Sequence, residues 1–182
     1  KQSVSETAVL VIDMLNAYQH EDAKRLAPNV AEIIDPMVGI IAAARKSDDV
    51  DLIYVNDNYG DFTADHDDIV RSALQGARPD LVEPIMPDKD CLFLEKVRHS
   101  AFYATSLAYL LRRLETRRLI RTGQVTEQCI LYTALDAYVR HFPVAVPPDA
   151  VAHIDAQLGD AALKMMERNM SAEIVPAADC LG

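Results

Sequence analysis

Cysteine is scarce in this sequence, and Cys91, Cys129 and Cys180 do not form a CxxC pair. An odd number of cysteines at these spacings argues against a disulfide framework and against a cysteine-based zinc site. We therefore expect a reducing compartment, in which each cysteine has to be judged by its own surroundings.

Basic residues are also few, with 18 Lys and Arg against 28 Asp and Glu and a net charge of −10. Binding of nucleic acid needs a surplus of cations on one face, so the charge balance disfavours nucleic acid as a partner. We interpret the cluster "RRLETRRLIR" at residues 112–121 as the cover of a helix end and of the following strand edge.

Long apolar runs are missing as well. No run approaches the ~20 residues that a bilayer-spanning helix needs, so we expect no membrane partner. The opening stretch "KQSVSETAVL" lacks the charged head, apolar middle and cleavage site of a signal peptide. We expect a cytoplasmic protein.

What the sequence does contain is an alternation of short apolar runs and stretches with helical spacing. Strands are predicted at Thr7–Asp13, Val50–Asp57, Cys91–Lys96, Arg117–Gly123, 142–148 and 172–177, with helices at 29–46, 66–75, Ser106–Glu115, Glu127–His141 and 156–169. Pro36 is expected to divide the first helix into a short and a longer one. The alternation predicts an α/β fold, one domain over residues 1–182, with a mostly parallel sheet covered on both faces.

Three reactive side chains are predicted at the carboxyl edge of this sheet, where open parallel sheets bind ligands. Asp13 ends the first strand, Lys96 ends the third, and Cys129 follows the fourth. With Thr126 as N-cap, Cys129 falls in the first turn of a helix, where the helix terminus and Lys96 would lower the pKa of the thiol. Asp13 is suited to accept the thiol proton, and free N–H groups of the turn are suited to hold an oxyanion. Each residue alone also has a purely structural explanation.

Three stretches carry a resemblance to a known family: "AVLVIDMLNAY", "EKVRHSAFYATSL" and "RTGQVTEQCILYTALDAY". In order and spacing they resemble the isochorismatase-like cysteine hydrolases, which include nicotinamidases and N-carbamoylsarcosine amidase. The resemblance implies a three-layer sandwich with a six-stranded, mostly parallel sheet of Rossmann-like topology. It implies a catalytic triad of Asp13, Lys96 and Cys129, a cis peptide before Val125, and an oxyanion hole formed by the N–H groups of Val125 and Cys129.

The function that the resemblance implies is hydrolysis of a small amide or carbamoyl compound through a thioester, without a cofactor, by a homodimer or homotetramer. One alternative is hydrolysis of an isochorismate-type vinyl ether, which does not need the cysteine. Another is a non-catalytic or redox-responsive protein that keeps the fold. If the motifs match by fold alone, the three reactive side chains should lie apart.

Two further expectations concern metal and substrate. Nicotinamidases carry a metal site built from Asp-x-His and further histidines after the second strand, whereas here Asp57 is followed by Asn58 and Tyr59. We therefore expect no metal, and we consider nicotinamide a less favoured substrate. Substrate contacts are expected from Leu15, Tyr18, Asn58 and Phe102. Arg98 is a candidate partner for a substrate carboxylate, although it also fits an exposed ion pair.

Overall fold

A parallel β-sheet forms the centre of the molecule, for which the computed structural model describes residues 6–182. Within those residues the sheet has seven strands, in the order β3-β2-β1-β4-β5-β7, with β6 beside β4. The strands are β1 (Thr7–Ile12), β2 (Val50–Asp57), β3 (Leu92–Lys96), β4 (Arg118–Gln124), β5 (Val144–Val146), β6 (Val151–Ala152) and β7 (Glu173–Ile174). All pairs are parallel.

Helices cover both faces of the sheet, which confirms the predicted three-layer α/β fold. They are α1 (Ala23–Lys46), α2 (His66–Leu74), α3 (Leu107–Arg113), α4 (Leu131–Val139), α5 (Ala156–Met170) and α6 (Ala177–Cys180). Val9 and Val11 of β1 pack in a core with α1, α2 and α6. Ala8, Leu10 and Ile12 point to the other face and pack with α3, α4 and α5. This alternation follows from the two-residue period of a strand that is buried on both faces.

The sheet differs from the prediction in one strand. The sequence predicted six strands, and the additional one is the two-residue β6, which pairs with the end of β4 through Gly123 and Gln124. A strand of two residues is too short to leave a periodic signal in the sequence, and this one follows directly on a turn at Pro148–Ala150.

The first helix was predicted incorrectly. It is continuous from Ala23 to Lys46 and contains both Pro28 and Pro36. Its buried stripe, from Leu26 through Met37 to Ala44, runs past both prolines, so core packing outweighs the backbone hydrogen bonds that proline cannot make. By length and composition alone α1 would also suit a membrane span, but this apolar stripe lies against the sheet.

The strand order reverses at β1, whose neighbours are β2 on one side and β4 on the other. Gly123 at the end of β4 has φ +112°, and a Cβ on it would lie 2.1 Å from the carbonyl oxygen of Ile12. Only glycine fits so close to the neighbouring strand with this backbone conformation. The residues after β1 and after β4 are thereby brought side by side at the switch point, where ligands bind in such sheets.

Candidate active site

Asp13 lies at the carboxyl end of β1 in a left-handed backbone conformation, with φ 55°. One carboxylate oxygen, Oδ1, accepts a hydrogen bond from the backbone N–H of Asp57 at 2.9 Å. The other, Oδ2, lies 2.9 Å from Nζ of Lys96. Both oxygens are thus held by neighbours on β2 and β3, which fixes the orientation of the carboxylate.

Lys96, the last residue of β3, is completely buried. Its Nζ lies 2.9 Å from Asp13 and 3.4 Å from Oδ2 of Asp57, and it donates to the sulfur of Cys129 at 3.8 Å. Burial acts to lower the pKa of Lys96, but the combined effect of Asp13, Cys129 and Asp57 is larger, so the pKa is raised. The amine therefore carries its charge at neutral pH and supplies a fixed cation to the site.

Cys129 lies in a single π-helical turn, Thr126–Ile130, that leads into α4. The carbonyl of Val125 accepts hydrogen bonds from the N–H groups of Gln128 at 3.0 Å and Ile130 at 3.2 Å. The peptide bond between Gln124 and Val125 is cis.

The predicted N-cap is wrong. Val125 flanks the turn, no side chain caps it, and Oγ1 of Thr126 is buried without a partner among residues 6–182. A threonine hydroxyl caps only from the flanking position, and here Thr126 already belongs to the turn.

The predicted lowering of the thiol pKa is also wrong for this geometry. Burial, followed by the charge of Asp13, raises the pKa of Cys129 to about 12, and Lys96 offsets only part of this. The thiol hydrogen bonds with Asp13, while a hydrogen bond from the Val125 backbone acts to lower the pKa of the thiol. Burial also raises the pKa of Asp13, against the influence of Lys96. The resting cysteine is therefore a thiol beside a carboxylate that is a stronger base than usual.

A small pocket of about 170 Å³ opens onto these groups. Asp13, Asp57, Gln124, Val125 and Cys129 line it, together with Asn16, His20 and Asp22 from the segment after β1. A larger groove of about 570 Å³ lies beside α2 and β3 and is lined by His66 and Cys91, but none of the three reactive side chains lines it. The chemistry therefore belongs to the smaller pocket.

The side chains expected to contact substrate do not line this pocket in the part of the chain that the structure describes. Leu15 is buried, and its backbone is held by Asn56. Asn58 accepts from the N–H of Gly60 and so shapes its own loop, while the hydroxyl of Tyr18 contacts Gln124. Phe102 packs against Phe142 in the core beneath α3 and α4.

Asp57 and Gln124 are among the pocket residues that were not recognised from the sequence. Asp57 was considered only as a possible metal ligand, although it ends β2 just as Asp13 ends β1, and this parallel was the available signal. Gln124 was given no role, and its position directly before Val125 was the only indication. Within residues 6–182, no group of three or more His, Cys, Asp or Glu side chains is placed to hold a metal ion.

Comparison with known proteins gives the family. The family model described as Isochorismatase domain matches residues 7–179. The chain belongs to the isochorismatase family. It is 34% identical over 172 residues to the uncharacterized isochorismatase family protein YaaI of Bacillus subtilis, with 94% of each chain covered.

Two proteins similar to this isochorismatase-family chain are named as an amidohydrolase and an amidase. The maleamate amidohydrolase of Pseudomonas putida is 27% identical over 152 residues, which cover 79% of this chain and 71% of that protein. The crystal structure of N-carbamoylsarcosine amidase from Thermoplasma acidophilum superimposes with a TM-score of 0.76 at 26% identity, over 97% of this chain and 99% of that one. The predicted resemblance is thereby confirmed, and the chain is an isochorismatase-family hydrolase with amidohydrolase relatives.

Proposed function

We propose that this protein is a cysteine amidohydrolase that cleaves the C–N bond of a small amide or carbamoyl compound through a thioester, without a cofactor. The observation that carries the proposal is the position of the Asp13 carboxylate. It contacts both the Lys96 ammonium, at 2.9 Å, and the Cys129 thiol, and it lines a pocket with that cysteine. A base, a cation and a nucleophile in mutual contact are the groups that covalent acyl chemistry needs.

In the first step Asp13 takes the thiol proton as the sulfur of Cys129 attacks the substrate carbonyl carbon. Because the thiol pKa is about 12, proton transfer accompanies the attack and no free thiolate accumulates beforehand. A C–S bond forms, and the carbonyl π electrons move to the oxygen. The N–H groups of Val125 and Cys129 are the proposed donors to this oxyanion.

In the second step Asp13 gives the proton to the leaving nitrogen, the C–N bond breaks, and ammonia or an amine departs. Asp13 then takes a proton from a water molecule, which attacks the thioester carbonyl. The C–S bond breaks, the acid is released, and the sulfur regains a proton. Lys96 remains charged throughout and stabilises the carboxylate and the sulfur whenever either is anionic.

The proposal is tested by ammonia release from a panel of small amides, carbamoyl compounds and nicotinamide. Activity should disappear in Cys129→Ala and persist in Cys91→Ala, a matched control because Cys91 is a half-buried cysteine that lines the other groove. Rapid quenching should yield an acyl adduct on Cys129 by mass spectrometry.

Two other outcomes would point to the alternative functions. Pyruvate release from a vinyl ether substrate that is unaffected by Cys129→Ala would favour isochorismate-type chemistry. No turnover on any compound, together with reversible oxidation of Cys129, would favour a redox-responsive protein. Either result would overturn the amidase proposal.

A further inference from the structure

Gln124 carries a buried hydrogen-bond acceptor that nothing in the described residues satisfies. The side chain is 1% exposed, lines the pocket, and its Oε1 has no partner among residues 6–182. Burying an acceptor unpaired is costly, so such an atom in a native site needs an explanation.

The orientation of the Gln124 amide is set by its surroundings. Nε2 donates to the carbonyl oxygen of Asp13 at 2.6 Å and contacts the hydroxyl of Tyr18 at 3.2 Å. The Asp13 carbonyl can only accept, so turning the amide over would set two acceptors against each other. The unpaired position on this pocket-lining side chain is therefore an acceptor, and its complement is an N–H or O–H donor.

The charge of the pocket adds an independent constraint. Three carboxylates line it, those of Asp13, Asp22 and Asp57, and within residues 6–182 no lysine or arginine does. Lys96 is fully buried and already contacts two of these carboxylates. Arg98, the sequence candidate for a substrate carboxylate, is exposed and does not line the pocket. A carboxylate entering here would meet like charges without a free lysine or arginine.

We propose that the substrate is a small amide that carries no carboxylate and that presents an N–H donor to Oε1 of Gln124, which acts as a specificity-determining residue. The inference rests on the proposed amidase function and narrows it. The pocket volume of about 170 Å³ limits the substrate to a compact molecule, well below drug-sized ligands.

Matched compounds test this proposal. Succinamide, 4-oxopentanamide and succinamate share one primary amide and differ at the far end, which is NH₂, CH₃ or O⁻. Malonamide, 3-oxobutanamide and malonamate form the same series with one methylene fewer. We expect kcat/KM for ammonia release to rank NH₂ above CH₃ by about tenfold, because the CH₃ compound leaves Gln124 unpaired. The O⁻ compound should be the poorest of the three.

Binding of the same compounds to Cys129→Ala, measured by calorimetry, separates this inference from the proposed function. If the compounds bind to Cys129→Ala in this order but the wild type hydrolyses none of them, the inference stands and the amidase proposal is overturned. If the wild type hydrolyses the NH₂ and CH₃ compounds with equal kcat/KM, or prefers the O⁻ compound, the inference is overturned and the amidase proposal stands. No binding of any compound in either series would overturn the inference as well.

A variant adds a second readout. Gln124→Met removes the acceptor at similar length and also the bond to Asp13, so absolute rates should fall. The informative quantity is the ratio of kcat/KM for the NH₂ compound to kcat/KM for the CH₃ compound, which should approach one. The O⁻ compound should remain a poor substrate, since Asp22 and Asp57 are unchanged. An unchanged ratio would show that Gln124 does not recognise the N–H donor of the substrate.

Discussion

Lys96 Nζ lies 3.8 Å from the sulfur of Cys129, yet the thiol pKa is raised to about 12. Proximity to a cation does not produce a thiolate here, because the same ammonium is shared with two carboxylates and the sulfur is buried. Desolvation of the charged form outweighs one shared positive charge. In the proposed mechanism the thiol proton therefore moves during the reaction, with Asp13 as acceptor.

Replacing Lys96 with methionine should lower kcat/KM by about 10²–10³-fold, since the cation stabilises the charges that develop in the transition state. Lys96 acts to lower the pKa of Asp13, so without it that pKa rises further. Because the carboxylate is the active form of the base, the acidic limb of the pH–rate profile should move to higher pH.

The control for this variant is Lys89→Met, which removes an exposed lysine and should leave both rate and profile unchanged. Both profiles are measured by ammonia release across pH 4–9. A Lys96→Met enzyme with wild-type rate and an unshifted acidic limb would contradict a role for the cation.

The raised thiol pKa predicts slow alkylation of the free enzyme. In a Cys91→Ala background, the rate of iodoacetamide labelling at Cys129 should increase with pH through neutrality and continue to rise to pH 10, because only the thiolate reacts. Labelling is followed by peptide mass spectrometry. A plateau between pH 6 and 8 would mean that the thiolate is already formed and that the order of events in the proposed first step is wrong.

The sequence was sufficient for features that depend on a strand or its end. A β-branched run located β1 and a short apolar run located β3, and thereby Asp13 and Lys96 at one edge of the sheet. The sequence was insufficient for features that depend on tertiary packing. The thiol pKa depends on burial of Cys129 by the neighbouring segments, and part of the pocket lining comes from the segment after β1, whose path has no periodic signal. Thr126 matched a capping pattern locally, but it is the first residue of the turn, and Val125 occupies the flanking position.

Phe102 illustrates the same limit and leads to a prediction. Its ring lies 6.1 Å from that of Phe142 and is 5% exposed. Phe102→Leu should therefore lower the free energy of unfolding by ~1 kcal/mol or more through lost packing. The KM for an amide substrate should stay unchanged. Urea denaturation and steady-state kinetics on the same preparation distinguish this role from substrate contact, which would raise KM with stability intact.

Gly123 provides a test of how the switch point is assembled. Gly123→Ala places a Cβ 2.1 Å from the carbonyl oxygen of Ile12 at φ +112°. We expect a loss of at least ~3 kcal/mol in the free energy of unfolding, because backbone on both sides must shift. Any folded fraction should lose amidase activity as well, since the displacement separates Asp13 from the turn that carries Cys129.

Gly39→Ala is the matched control for this substitution. Gly39 is exposed within α1, and an added Cβ there meets no atom within 4 Å. Alanine should stabilise the helix by ~0.5–1 kcal/mol, because glycine loses more conformational freedom on folding. Urea denaturation of both variants gives the comparison. Equal effects at the two positions would show that Gly123 is not required by the approach of β4 to β1.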